Sequence, residues 1–395
     1  MRVKSLTARP ILDSRGSWTI EVRLGLGAGA TVTASVPQGK STGSHEVVAL
    51  PAKIAVRNIN TIIAPKLKRA EFRSQDALDA FLNKLDGTPT KKKLGGNSTL
   101  AISIAFARAS AAAKGVPLWG HIRSLYGVPV PSSRDVTHPR LFMNLINGGV
   151  HGGSNLDIQE YVIIPKTRTF AEAVRVGVEV RNALGEAIAW AKGKQATNLG
   201  DEGGYAPNFK NNIEPIHILK GILKKLHYEK LVDFGMDAAA TDIKGFTDSD
   251  LVQLYEKLIR EYNIIYLEDP FAEERFEEFA KLTERFGDKV WITGDDLTTT
   301  NVRRMERAHA EGSVNGVIIK PNQIGTVTEA LDAVRLARKY GWKVIASHRS
   351  GETNDDFIAD FAYGVGADGL KLGAPARGER IAKYNRLLAI EAGEE

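Results

Sequence analysis

The sequence predicts an α/β protein, with a small N-terminal α+β domain over residues 1–130 and a (β/α)8-type barrel over residues 131–395. Three observations carry that prediction. A chain of 395 residues exceeds what one ordinary core encloses, so one large and one small domain are expected. Its first third alternates apolar and polar residues in the strand period and then turns helical. Beyond it, six short apolar runs each end in an ionisable residue, at intervals of 23 to 31 residues. Each interval holds a loop, a helix and the next strand, the repeat of a parallel barrel.

In the first domain, "WTIEVRL" (18–24) and "ATVTASV" (30–36) read as strands. The glycine-rich "GLGAG" between them joins two strands rather than opening a helix, so it is a hairpin connection and not a dinucleotide loop. A polar, glycine-punctuated loop, "PQGKSTGSHE", follows. Helices are expected near 51–64 and 74–85, and over 97–115, the last beginning at a capping Asn97 or Ser98 and ending at Gly115. Prolines 129, 131 and 139 mark the domain boundary.

The barrel strands end at Asp237, Glu268, Asp295, Lys320, His348 and Lys371. "TEALDAVRLARKYG" (328–341) is one of the helices expected between them. Barrels of this kind carry their chemistry at the C-terminal ends of the strands, so the spacing points to an enzyme. Asp237, Glu268 and Asp295 come from three consecutive strands and offer hard oxygen ligands without histidine or cysteine, a set suited to Mg²⁺ or a similar cation. A single such acid is more often a helix cap; three in succession favour the metal. Arg349 and Ser350, beside His348, suit a phosphate, and Lys371 a carboxylate. Lys320 stands between the acidic and basic groups. Desolvated and crowded by cations, it is expected to have a lowered pKa and to act as a general base, abstracting a proton next to a metal-bound carboxylate.

Composition narrows the setting. The chain has no cysteine, which excludes disulfides, thiolate metal sites and cysteine nucleophiles. Its 43% hydrophobic and 25% charged residues are those of a soluble globular protein. No apolar run reaches signal-peptide or membrane-spanning length, so a cytoplasmic protein with no membrane partner is expected. The net charge of +6 favours anionic ligands in a general way. The "KKK" run at 91–93 lacks interleaved aromatics and reads as a solvated loop, so nucleic acid is not expected as a partner. One stretch stays open on these grounds: "TNLGDEGGYAPN" (197–208) is either a solvated turn or a device that aims a carboxyl at a substrate.

The blocks "ASVPQGKSTGSHE", "LINGGVHGG", "QEYVIIP", "GDEGGYAPN", "YLEDPF", "GDDLTTTN", "IIKPNQIGT", "SHRSGET" and "LKLGAPARGERIAKYN" occur in an order that resembles the enolases nearly end to end. That resemblance implies Mg²⁺-dependent, reversible dehydration of 2-phosphoglycerate to phosphoenolpyruvate in glycolysis and gluconeogenesis. It implies Asp237, Glu268 and Asp295 as metal ligands and Lys320 as the base at C2. Glu202 is the implied acid for the C3 hydroxyl, supported by Gln159 and Glu160, its pKa raised by burial and by Glu160 so that it stays protonated. Arg349, Ser350 and Lys371 would grip the substrate, His151 and His348 would line the pocket, and a second Mg²⁺ arriving with substrate would meet Ser41. Asp201 is expected to be structural, pairing with backbone or a cation. A homodimer or higher homo-oligomer is implied.

Departures from the family pattern accompany the likeness. Lys40 stands where a small residue is usual, and Ser17-Trp18 replaces Asn-Pro. The segments after Glu46 and from Ala238 to Asp250 are short. Ala389 replaces an arginine that pairs across the dimer with the acid matching Glu21, so that ion pair is expected to be absent. Competing expectations are another acid-sugar dehydratase or racemase of the same superfamily, a non-catalytic enolase-like binding protein, and a second role on nucleic acid or a cell surface.

Overall fold

The structure, a computed structural model, describes residues 1–27, 31–40, 43–127 and 138–394. The expected boundary at 130/131 and part of the first hairpin connection lie outside the described residues. The N-terminal sheet is antiparallel in the order β1 (Val3–Leu12), β2 (Trp18–Leu26), β3 (Thr31–Ser35). β1 was not legible in the sequence: most of its residues are exposed, and it carries Pro10, which an edge strand tolerates.

The helices of this domain stand where they were expected. That near 51–64 runs through a π turn, Ile59–Ile63, immediately before Pro65, which has no amide to offer the helical ladder. Helix Gly96–Lys114 packs on β2 and β3 and stops at left-handed Gly115. Its expected side-chain cap is absent. Asn97 instead exchanges hydrogen bonds with the backbone of Leu50.

The second part is a closed eight-stranded barrel. In chain order its strands are β4 (Arg140–Asn147), β5 (Glu160–Pro165), β6 (Val232–Asp237), β7 (Ile264–Glu268), β8 (Trp291–Gly294), β9 (Gly316–Ile319), β10 (Lys343–Ser347) and β11 (Gly369–Lys371). Phe142, Val162, Ile164, Tyr266, Ile318 and Ile345, from five of these strands, form a buried cluster inside it. The barrel is not wholly parallel: β5 runs antiparallel to both β4 and β6. Between β4 and β5 lies only a single helical turn, Gly149–Gly152, too little for the crossover that parallel strands require. The reversal matters for chemistry. β5 begins, rather than ends, at the functional rim, so Glu160 pairs with both Asn147 and Asp237.

Buried polar contacts bind the two parts. Arg108 reaches from the helical layer to Asp355 at 2.6 and 2.9 Å and to Asp356 at 2.6 Å. Gln38 and Gly351 exchange backbone hydrogen bonds. His121, on helix Leu118–Tyr126, is a different case: it is buried, and neither ring nitrogen has a partner among the described residues. Burial, then Lys114, pushes its pKa down to about 4. The unfolded chain therefore takes up this proton near pH 6.5 while the native protein does not until about pH 4. Stability is lost as pH falls through that window, by on the order of 1–3 kcal/mol from this group. His121→Phe is expected to flatten the fall of Tm between pH 6.5 and pH 4 relative to the parent. Parallel curves would show that the ring finds a proton acceptor.

Candidate active site

All six sequence-predicted strand ends gather at one rim of the barrel. Asp237, Glu268 and Lys371 are the last residues of β6, β7 and β11. Asp295, Lys320 and His348 follow directly on β8, β9 and β10. With His151, Gln159, Glu160, Glu202, Arg349 and Ser350 they surround a narrow cleft, Glu268 lying fully buried beneath it.

Within this ring the acids and cations satisfy one another. Lys371 Nζ lies 3.2 Å from both Glu160 and Asp237 and is also paired with Glu268. Lys320 pairs with Asp295, whose other oxygen accepts from Gln323 at 2.9 Å. The three expected metal ligands thus share one rim but are drawn to two different lysines. Glu268 is pushed up to about 8, by burial first and then by Asp237. Burial works against the charge of Lys320, but Asp295 overcomes it and holds the ammonium above its ordinary range. The expected depression of Lys320 is therefore corrected for this state, because the neighbouring carboxylate outweighs the neighbouring cations.

Glu202 hangs from the glycine-rich loop, with a carboxylate oxygen within 4.8 Å of Glu160 and His151. Gly203 takes a left-handed φ of +84°, and a Cβ on Gly200 would fall 2.6 Å from Asn147 Cβ and 2.7 Å from the His151 carbonyl. Glycine is what lets this loop press against β4 and the His151 turn. Glu202 Oε2 accepts from Asn144 at 3.1 Å and lies 3.5 Å from His348 Nε2, while Oε1 lies 3.6 Å from His151 Nδ1. Burial pushes both carboxyls of the Glu160–Glu202 pair up. For Glu160 burial and Glu202 win, and its pKa is raised well above the usual range. For Glu202 burial is outweighed by His348, His151 and Arg380, and the group is held low. The expectation of a raised Glu202 is corrected: Glu202 is held below the usual range and it is its neighbour Glu160 that is raised. Burial also lowers both histidines, His348 to about 3.

The phosphate-directed residues are engaged. Arg349 pairs with Glu46 at 2.8 and 3.0 Å and donates to Asn322 at 3.1 Å, and Ser350 Oγ accepts from the Lys40 amide. Lys40 Nζ reaches across the mouth to Asp201 at 3.1 Å and to the Val150 carbonyl at 2.7 Å. Asp201 thus pairs with a cation, as expected. Ser41 lies outside the described residues.

Several participants escaped the sequence reading. Asp269, left-handed at φ +40° and buried, accepts the amides of Asp295 and Asp296 at 2.9 and 2.7 Å. Its position beside Glu268, and the doubled acids of "GDDL", were the available signals. Asn144, Glu46 and Arg380 carried none, because only the fold brings them to the site.

The residues present fit a hard divalent cation. Asp237, Glu268 and Asp295 are at most 7% exposed, and Glu268 Oε1 is a buried oxygen without a hydrogen-bond partner among the described residues. The clusters whose ligand atoms lie within 4.8 Å of one another among the described residues are Asp269–Asp295–Asp296 and His151–Glu160–Glu202, so of the three expected ligands only Asp295 falls in one.

Comparison with known proteins agrees with this geometry. The enolase N-terminal domain model matches residues 3–122, and the enolase C-terminal TIM barrel domain model matches residues 135–245 and 241–394. An enolase of Methanopyrus kandleri is 42% identical, covering 99% of this chain and 95% of the relative. Enolases of Methanocaldococcus jannaschii and Solanum lycopersicum are 42% and 41% identical, each covering 98% of this chain and 95% of the relative. The chain belongs to the enolase family, whose activity is that of a phosphopyruvate hydratase, a lyase.

Proposed function

We propose that this hydratase converts 2-phospho-D-glycerate reversibly to phosphoenolpyruvate and water through the residues of the barrel rim, as a step of glycolysis and gluconeogenesis in the cytoplasm. One observation carries the assignment of roles: Glu202, beside Glu160, and Lys320, paired with Asp295, line the same cleft as separately held groups. An acid and a base on opposite sides of a bound ligand are what elimination of a poor leaving group demands.

In this reading Lys320 takes the C2 proton, the C2–C3 double bond forms, and the C3–O bond breaks as Glu202 delivers a proton, so that water leaves. The proton belongs to the Glu160–Glu202 pair, and Gln159, 3.5 Å from Asp237, keeps β5 in register behind it. Asp295 holds the Lys320 ammonium above its ordinary range, so the base role requires that this ion pair be released. Asp237, Glu268 and Asp295 would hold Mg²⁺, which when bound supplies positive charge to the substrate carboxylate as the enolate develops. A second Mg²⁺ is assigned to the loop of Ser41. Arg349 and Ser350 take the phosphate, Lys371 the carboxylate, and His151 and His348 wall the acid side. Glu21 pairs within its own chain with Arg9 at 2.8 Å, so a homodimer would rest on contacts other than the missing arginine pair.

The test is the ultraviolet absorbance of phosphoenolpyruvate as purified protein meets 2-phosphoglycerate. A rise with Mg²⁺ that vanishes under excess chelator is expected. No rise from folded, Mg²⁺-supplied protein would overturn the substrate assignment.

A further inference from the structure

Behind the acid side of the cleft sits Arg380, on helix Gly378–Ala392, with 0% of its surface exposed and no share in the cleft lining. Its guanidinium meets four acceptors. Nη1 donates to the Arg349 carbonyl at 2.6 Å and lies 2.6 Å from His348 Nδ1. Nη2 donates to the carbonyls of Ser350 at 2.6 Å and Asp201 at 3.2 Å. A guanidinium has only donors, so His348 Nδ1 must accept. A neutral imidazole that accepts at Nδ1 carries its proton at Nε2, the atom 3.5 Å from Glu202 Oε2.

We propose that Arg380 is a positioning residue for the acid step: it fixes the Nε2–H tautomer of His348 and thereby decides which oxygen of Glu202 takes the transferable proton when it passes from Glu160. With Nε2–H and the Asn144 amide both turned to Oε2, that oxygen is an acceptor, and a proton passed to Glu202 belongs on Oε1. The other tautomer would set an N–H of His348 against an N–H of Arg380. It would also turn an imidazole lone pair toward Glu202, drawing the proton to the histidine instead of the leaving hydroxyl. The packing leaves the ring little choice of place. Gly373, at φ +77°, lies so close that a Cβ there would fall 3.0 Å from His348 Cε1 and 2.5 Å from the Glu202 carbonyl. Arg380 adds a second constraint, tying the Arg349–Ser350 segment to the Asp201–Glu202 loop through backbone carbonyls. This inference rests on the reading of Glu202 as the acid.

Nitrogen-15 NMR of histidine-labelled, Mg²⁺-loaded protein reads the tautomer directly, with the His348 signals assigned by their loss in His348→Asn. The expected spectrum has Nε2 protonated and Nδ1 bare in the parent, largely preserved in Arg380→Lys, and mixed in Arg380→Met. Dehydration should fall roughly 10- to 100-fold in Arg380→Met, the scale for removing an outer partner of a working histidine. C2 proton exchange should stay within a few-fold of the parent. A parent His348 protonated at Nδ1 overturns the proposal whether or not Arg380→Met folds. So does a folded Arg380→Met that keeps the Nε2–H tautomer while losing exchange and dehydration together. The tautomer does not depend on which group is the acid, so a Glu202→Gln enzyme that still dehydrates would retire the Glu202 role while leaving the tautomer result standing.

Discussion

Lys320→Ala abolishes exchange of the C2 proton with solvent, by a factor of ~10²–10⁴, the contribution of a positioned base. Lys320 follows directly on β9, is mostly buried, and has Asp295 as its ion-pair partner among the described residues. Truncation removes the proton acceptor and releases Asp295 from that pair. Mg²⁺ binding should therefore be retained or tightened, and substrate binding largely kept, since Arg349 and Lys371 are untouched. Loss of the base is thus separable from loss of the site. Deuterium incorporation at C2 of 2-phosphoglycerate, followed by proton NMR, makes the measurement beside a calorimetric titration with Mg²⁺. Exchange at near-parental rates would assign the base to another group, and Lys371 would be next to test.

Glu202→Gln gives the complementary result: dehydration is lost by a similar ~10²–10⁴-fold, while C2 exchange persists. Glutamine keeps the size of the side chain and an oxygen to accept from Asn144 and His348. It has no transferable proton, so the C3 hydroxyl would have to leave as hydroxide. Lys320, across the cleft, keeps its own surroundings. Exchange without product formation is thus the signature of a missing acid. If both reactions disappear together, Glu202 positions the substrate rather than protonating its leaving group.

The strand ends were legible because a buried barrel strand is a short apolar run, and its first polar residue announces the rim. Asp237, Glu268, Asp295, Lys320, His348 and Lys371 were all placed this way, and the structure sets each at a strand terminus. β4 and β5 were not read as strands of the repeat, since no helix of ordinary length separates them and no spacing rule flags a reversed pair. The charge states were the least legible. Periodicity says that Lys320 and Glu202 are buried; it does not say that Asp295 faces the one or that two histidines face the other. Those directions depend on distances of a few ångströms between residues far apart in sequence. Arg380 shows the same limit, for in the sequence it is one of two arginines on an amphipathic helix.

The reversed strand also bears on how the barrel assembles. Because β5 turns back on β4, Asn147 meets Glu160 and Met143 meets Ile163, partners only a short loop apart. The seam on the other side of β4 joins Arg140 to Gly369, at opposite ends of the barrel sequence. Closing the first contact costs little chain entropy; closing the second must wait until the intervening strands are in place. Pulse-labelled hydrogen exchange during refolding should find the β4 and β5 amides of their shared ladder protected before those along the β4–β11 seam. The wall that holds Glu160 would then form early, while the lysine that pairs with it, Lys371 on β11, would arrive with the last turn of the ring.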